Sequence, residues 1–286
     1  MKVLSETEIR DVNSLIKLLD DEDNSISGIA LQRLVEKGED VLPYLQHATG
    51  AVEANHERRI IEAFSSISDS ILKNLLREFR KNSVGDVDLE RGAFLIALHG
   101  YPQEDMHPWI DLLSTFAIEL DQRLSGISDH DDIVRTINDF FFVEKKFSGN
   151  RTAYYEPDNH YLNRVLALRT GVPLSLAVVY LLVAWRINIP MQGIGLPGHF
   201  VLRYAMQPED VFIDPFNGGR FLTKAECIRY VEDAGYAFKE EFLKPVSNIQ
   251  ILERMLRNLI VAFEKDEKRE KVESLRKCID ILNSNV

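Results

Sequence analysis

Three side chains in the second half of this 286-residue chain have the types and order that acyl chemistry needs: Ser175, His199 and Asp214. A serine hydroxyl attacks a carbonyl only when a base removes its proton, and imidazole is the side-chain base best matched to neutral pH. A carboxylate beside the imidazole holds the correct tautomer and stabilises the imidazolium that forms. Each residue also has an ordinary structural reading. Ser175, in GVPLSLAVVYLL, could satisfy an orphan N–H at a helix start, and His199, in GLPGHFVLRY, could be a hydrogen-bonded core histidine. Asp214, in FIDPFNGG, could accept N–H groups of a turn. Only the three together point to chemistry.

For the set to work, particular elements must carry it. The apolar run from Leu174 to Ile187 predicts one helix, with Pro173 suited by its fixed φ to the first turn. Ser175 would then stand where unpaired N–H groups and the helix dipole favour an oxyanion. Gly195, Pro197 and Gly198 shape the chain entering a strand that alternates Phe200, Val201, Leu202 and Arg203. VFIDPF reads as a second strand, ended by the turn Asn217-Gly218-Gly219, and hairpin-like pairing of the two would set His199 beside Asp214. Upstream, Asn159 and Asn163 could donate to an oxyanion or orient His199, or bind their own backbone. Tyr154, Tyr155 and His160 read either as the lining of a groove or as satellite core aromatics. Thr223 and Glu226 form a capping-box pattern opening a helix in which Cys227 is a packed thiol, and Cys278 reads as core.

The rest of the chain is helical in pattern. From Asp11 to about Asn82, apolar residues recur at helical spacing: Leu15, Leu18 and Leu19, then Ile29, Leu31, Leu34 and Val35, then Val41, Leu42 and Leu45. A second helix pair is expected from Arg58 to Arg80, and a boundary near Gly85 in NSVGDVDLE. INDFFFVEKKFSGNRTAYYEPDNHYLN reads as a packed, structured loop. ILERMLRNLIVAF and KVESLRKCIDIL predict two antiparallel helices. The division expected is an α-helical region over 1–85, a domain over 86–245 and a helix pair over 246–286.

Bulk properties exclude several classes. A net charge of -11 counts against a phosphate-binding surface and so against nucleic acid, and the basic stretch from Lys265 to Lys277 is interleaved with glutamates as a solvated helix face is. The longest apolar run, Leu174 to Trp185, is too short for a membrane span. Two cysteines without metal or redox spacing, and a start without a signal-peptide pattern, fit the cytoplasm. Phosphate-loop, HExxH and dinucleotide patterns are missing, so no metal or cofactor is expected.

The run from FSGNRTAYYEPDNHYLN through GVPLSLAVVYLL and GLPGHFVLRY to FIDPFNGG resembles the bacterial SirB-type branch of the transglutaminase-like superfamily over roughly residues 90 to 245. LERGAFLIA and the terminal helix pair also fit that branch, the amino-terminal helices resemble HEAT repeats, and the terminal pair resembles a tetratricopeptide unit. The resemblance implies an α+β, papain-like domain: a nucleophile on a helix packed against a small antiparallel sheet that presents the histidine and the acid. His199 and Asp214 match the superfamily's catalytic histidine and acid, whereas Ser175 stands where active members carry cysteine. A thiol beside imidazolium ionises near neutral pH, and a serine hydroxyl does not. Two functions follow as expectations. One is a regulatory module that binds a protein or peptide and has lost or altered the ancestral activity. The other is a serine-dependent amide or ester hydrolase or acyltransferase, with Ser175 as nucleophile, His199 as base and Asp214 as orienting acid.

Overall fold

The computed structural model describes residues 4–48, 54–81, 87–205 and 211–283, which fall into two compact units. The boundary expected near Gly85 lies outside the described residues.

The first unit takes in residues 1–83, 95–105 and 280–286. Helix α1 (Glu6–Leu18) opens on a capping box between Ser5 and Glu8, and α2 (Asn24–Lys37) on the Asp23 carboxylate, each satisfying N–H groups that a helix start leaves unpaired. A 3-10 turn leads to α3 (Leu42–Ala48), followed by α4 (Ala54–Lys81), 28 residues long. The helix pair expected over this last stretch is one helix. Nothing between Arg58 and Arg80 breaks it, and Ile60, Ala63, Phe64, Ile67, Leu72 and Leu76 form an unbroken buried stripe. On α1 and α2 the stripes are narrower than the apolar residues suggest: Leu15, Leu19 and Leu34 are buried, but Leu18 and Ile29 are exposed. Helix α5 (Leu89–Gly100) gives its first half to the second unit and its second half to the first.

The second unit, residues 84–94 and 106–279, holds the remaining elements except the last residues of the terminal helix. Helix α6 (His107–Leu124) has Pro108 in its first turn, and α7 (His130–Asn138) is capped by Asp129. The segment expected as a loop is more ordered than that. One π-helical turn (Asp139–Glu144) buries Phe140 and Phe141, strand β1 (Ser148–Gly149) pairs in parallel with β2 (Thr170–Gly171), and α8 (Leu162–Leu168) lies between them. Phe141 stacks on Tyr180 at 4.8 Å, so the aromatic density read as loop filling is the floor of the next helix.

That helix, α9 (Pro173–Arg186), is buried almost throughout. It packs on a four-stranded antiparallel sheet, β3 (Met191–Ile194), β4 (Val201–Tyr204), β5 (Phe212–Asp214) and β6 (Arg220–Leu222), in that spatial order. The chain entering β4, from Gly195 to Phe200, is not strand, and β4 begins only at Val201. Gly198 adopts φ +74°, which a strand residue does not, and a Cβ there would meet Ala234 at 2.9 Å. Helix α10 (Lys224–Asp233) starts on the Thr223–Glu226 capping box and buries Cys227 against the sheet with Ile194, Val201 and Phe212. Helices α11 (Asn248–Lys265) and α12 (Arg269–Asn283) form the terminal pair, burying Leu252, Met255, Leu259, Phe263, Val272, Leu275 and Cys278. The unit is α+β, a helix packed on a small antiparallel sheet.

Candidate functional site

Asp214 ends β5 and is fully buried. A buried carboxylate is costly unless its lone pairs are used, and here five donors reach it. Oδ1 accepts the backbone N–H groups of Phe216 and Asn217 at 3.1 and 3.2 Å. Oδ2 accepts from His199 Nε2 at 2.9 Å, Asn217 Nδ2 at 2.6 Å and the Tyr230 hydroxyl at 3.1 Å. Burial pushes the Asp214 pKa up, but the hydrogen bonds and charge of His199, with Asn217 and Tyr230, outweigh it and hold the carboxyl below its ordinary value. Tyr230 answers in the opposite sense: burial and the Asp214 charge push its phenol up to about 12.

His199 sits in the loop just before β4, not within a strand. Pairing of β4 with β5, Leu202 opposite Ile213, brings this loop to the end of β5. The imidazole stacks on the Tyr230 ring at 4.6 Å and meets the edge of Phe216 at 6.3 Å, and its side chain is 11% exposed. With Nε2 committed to Asp214, Nδ1 is the nitrogen that could take a proton from a ligand. The backbone of the loop is held from the terminal pair. Arg254 on α11 donates through one nitrogen to the carbonyls of Leu196 and His199, both at 2.8 Å, and lies over Phe200.

Ser175 is the third residue of α9 and 2% exposed. Its hydroxyl donates to the Asn159 carbonyl at 2.6 Å, with the Val172 carbonyl at 3.2 Å, and accepts the Val172 N–H at 3.1 Å. Neither His199 nor Asp214 is among its hydrogen-bond partners. Gly171 makes this arrangement possible, because a Cβ there would lie 2.5 Å from the Ser175 oxygen. The side chain of Asn159 binds its own segment, donating to the Ala153 carbonyl at 2.5 Å and accepting from Asn150 at 3.0 Å. Asn163 is fully buried on α8.

The structure therefore brings His199 and Asp214 into contact and ties Ser175 to backbone instead. It also adds three residues to the site. Asn217 was legible as the turn residue after an aspartate. Tyr230 and Arg254 arrive from helices much later in the chain, and no local pattern announces them. Among the described residues no group of three or more histidines, cysteines or acids is placed to hold a metal ion, and no helix is long and apolar enough to cross a membrane.

Comparison with known proteins gives the family. Residues 107–257 match the family described as the transglutaminase-like superfamily. A UPF0162 protein of Xylella fastidiosa (strain 9a5c) is 35% identical over 192 residues, covering 62% of this chain and 67% of that protein. A UPF0162 protein of Vibrio cholerae is 30% identical over 132 residues, 45% of this chain and 48% of its own length. F-box only protein 21 of Mus musculus is 29% identical over 175 residues, 58% of this chain but only 27% of that protein. No solved structure matches. With the family match taking in more than half of its residues, the chain belongs to the transglutaminase-like superfamily.

Proposed function

We propose that this chain is a regulatory protein-interaction module of the SirB-type branch, acting in the cytoplasm, in which the ancestral acyl chemistry is lost or altered. Its papain-like domain, residues 86–245, recognises a protein or peptide together with a HEAT-like region before it and a tetratricopeptide-like pair after it. One observation carries this reading: the Ser175 hydroxyl points at the Asn159 carbonyl from a site 2% exposed. To attack a substrate it would have to give up its bonds to that carbonyl and to the Val172 N–H, each worth about 0.5–1.5 kcal/mol. Similarity to part of a mouse protein named for an F-box supports a role in protein interaction.

The His199–Asp214 pair favours a second reading, a serine-dependent hydrolase or acyltransferase. In that reaction Ser175 Oγ bonds to the carbonyl carbon as its proton passes to His199 Nδ1. The proton then goes to the leaving amine or alcohol as the acyl bond breaks, while Asp214 stabilises the imidazolium. Incubating the whole protein with a fluorophosphonate probe separates the two. The module reading expects no adduct on Ser175 by peptide mass, whereas an adduct that disappears in His199→Ala would establish the enzyme.

A further inference from the structure

We propose that the aromatic strip leading out from His199 is a docking site for an acidic segment of a partner protein. This deepens the interaction-module reading and rests on it. The strip is a series of rings meeting edge to face. Phe216 lies 6.3 Å from the His199 ring, Tyr154 5.9 Å from Phe216, and Tyr155 5.3 Å from Tyr154. It opens outward, since Phe216 and Tyr154 are partly exposed and Tyr155 is 46% exposed.

Two exposed cations stand on these rings. The Arg151 guanidinium is 5.1 Å from the centre of Phe216, and Lys265 Nζ is 4.2 Å from the centre of Tyr155. Neither has a carboxylate within salt-bridge distance among the described residues, although the chain carries a surplus of acids. Elsewhere in the same unit Arg123, Lys145, Arg164 and Arg186 each have one. Of the carboxylates on the segments carrying Arg151 and Lys265, Asp158 is taken by Arg164, Glu253 by Arg257 and Glu264 by Arg276, while Glu156, Asp266 and Glu267 pair with neither cation.

Complementarity follows from this arrangement. The rings offer apolar area at low entropy cost, and the two cations offer charge that the chain itself leaves uncompensated. A segment with acidic residues spaced among apolar ones satisfies both, whereas a basic segment would set like charges together.

The test uses the full chain and two fluorescein-labelled nonapeptides, one repeating Glu-Glu-Phe and one repeating Lys-Lys-Phe, with binding read by anisotropy. The acidic peptide is expected to bind, and to bind more weakly as NaCl rises from about 50 to about 300 mM. Its affinity should fall by about tenfold or more in an Arg151→Glu, Lys265→Glu variant, and should be kept in Lys268→Glu, a cation outside the strip. Tyr155→Ser provides a second variant with unchanged charge and should also weaken binding. Unchanged acidic-peptide affinity in both strip variants, a preference for the lysine peptide, or no binding of either peptide overturns the proposal. Lysine-peptide binding that Tyr155→Ser abolishes would remove the acidic preference but leave a protein-interaction site standing. A Ser175 adduct, by contrast, counts against the interaction-module reading whatever the peptides do.

Discussion

At Asp214, five hydrogen-bond donors converge on one buried carboxylate, and that residue ranks as the most constrained of the site. Tyr230→Phe removes one charge-assisted bond while keeping the ring under His199, so it should cost about 1.5–3 kcal/mol in urea unfolding. Tyr230→Leu should cost more, because the stack on the imidazole goes with it. Asp214→Asn is expected to be more damaging than either, by about 3–5 kcal/mol, since the amide must place an N–H₂ group among donors. Ser175 contrasts with this. Its hydroxyl is satisfied entirely by backbone, and Ser175→Ala should cost about 0.5–1.5 kcal/mol, since the Val172 N–H keeps the Asn159 carbonyl as a second acceptor at 3.4 Å, without altering the His199–Asp214 contact. Residue type and order were enough to single out Ser175, His199 and Asp214 as candidates, and that much was legible in the sequence. The direction in which the Ser175 hydroxyl points was not, because it depends on where the Asn159 carbonyl comes to rest.

Two elements hold the site from outside it. Strand β1 passes so close behind the turn after Asp214 that a Cβ on Gly149 would lie 2.5 Å from the Phe216 carbonyl oxygen. A backbone atom cannot swing aside as a side chain can, so Gly149→Ala should destabilise the second unit by about 1–3 kcal/mol and displace Phe216 from the His199 edge. A shift in the thermal unfolding midpoint checks the first effect, and near-ultraviolet circular dichroism of the aromatic rings checks the second. Helix α11 reaches the other side through Arg254. Arg254→Met keeps most of the contact with Phe200 but frees two carbonyls, and hydrogen exchange in the segment 195–200 should quicken while that of α9 stays as it is. Helices α9, α10 and α11 could each be placed from apolar spacing and capping residues. The role of Arg254 could not, since α11 alone reads as an ordinary amphipathic helix.

For the second unit as a whole, acid should act in two stages. His160 is buried with neither ring nitrogen hydrogen-bonded among the described residues, and burial pushes its pKa down to about 4 from an ordinary 6.5. Between these values the unfolded chain binds a proton that the folded ring refuses, so stability is lost as pH falls through this window, by about 3 kcal/mol. A His160→Phe variant should show a flatter dependence of its urea midpoint from pH 7 to pH 4. Asp214 acts lower down. Its folded pKa lies below the ordinary 3.8, so the stability it contributes is present above that value and disappears as pH falls through the folded one. A protein whose midpoint stays level from pH 7 to pH 4 would contradict the buried, neutral state of His160.

By itself the sequence determined most of the helices, the strands around the site and the superfamily: helices from 3.6-residue apolar spacing, strands from alternation between turn residues, and the run of segments around Ser175, His199 and Asp214 that carries the superfamily resemblance. These are properties of short stretches, where covalent geometry and local burial decide. The tertiary structure decided the rest. It made one long α4 where a pair was expected, an ordered π-turn and parallel strand pair where a loop was expected, and a histidine seated on Tyr230 and clamped by Arg254. It also set the Ser175 hydroxyl on the Asn159 carbonyl. Such outcomes depend on which distant groups meet in a space that buries them, and a hydrogen bond between residues far apart in the chain leaves no mark on the spacing of either.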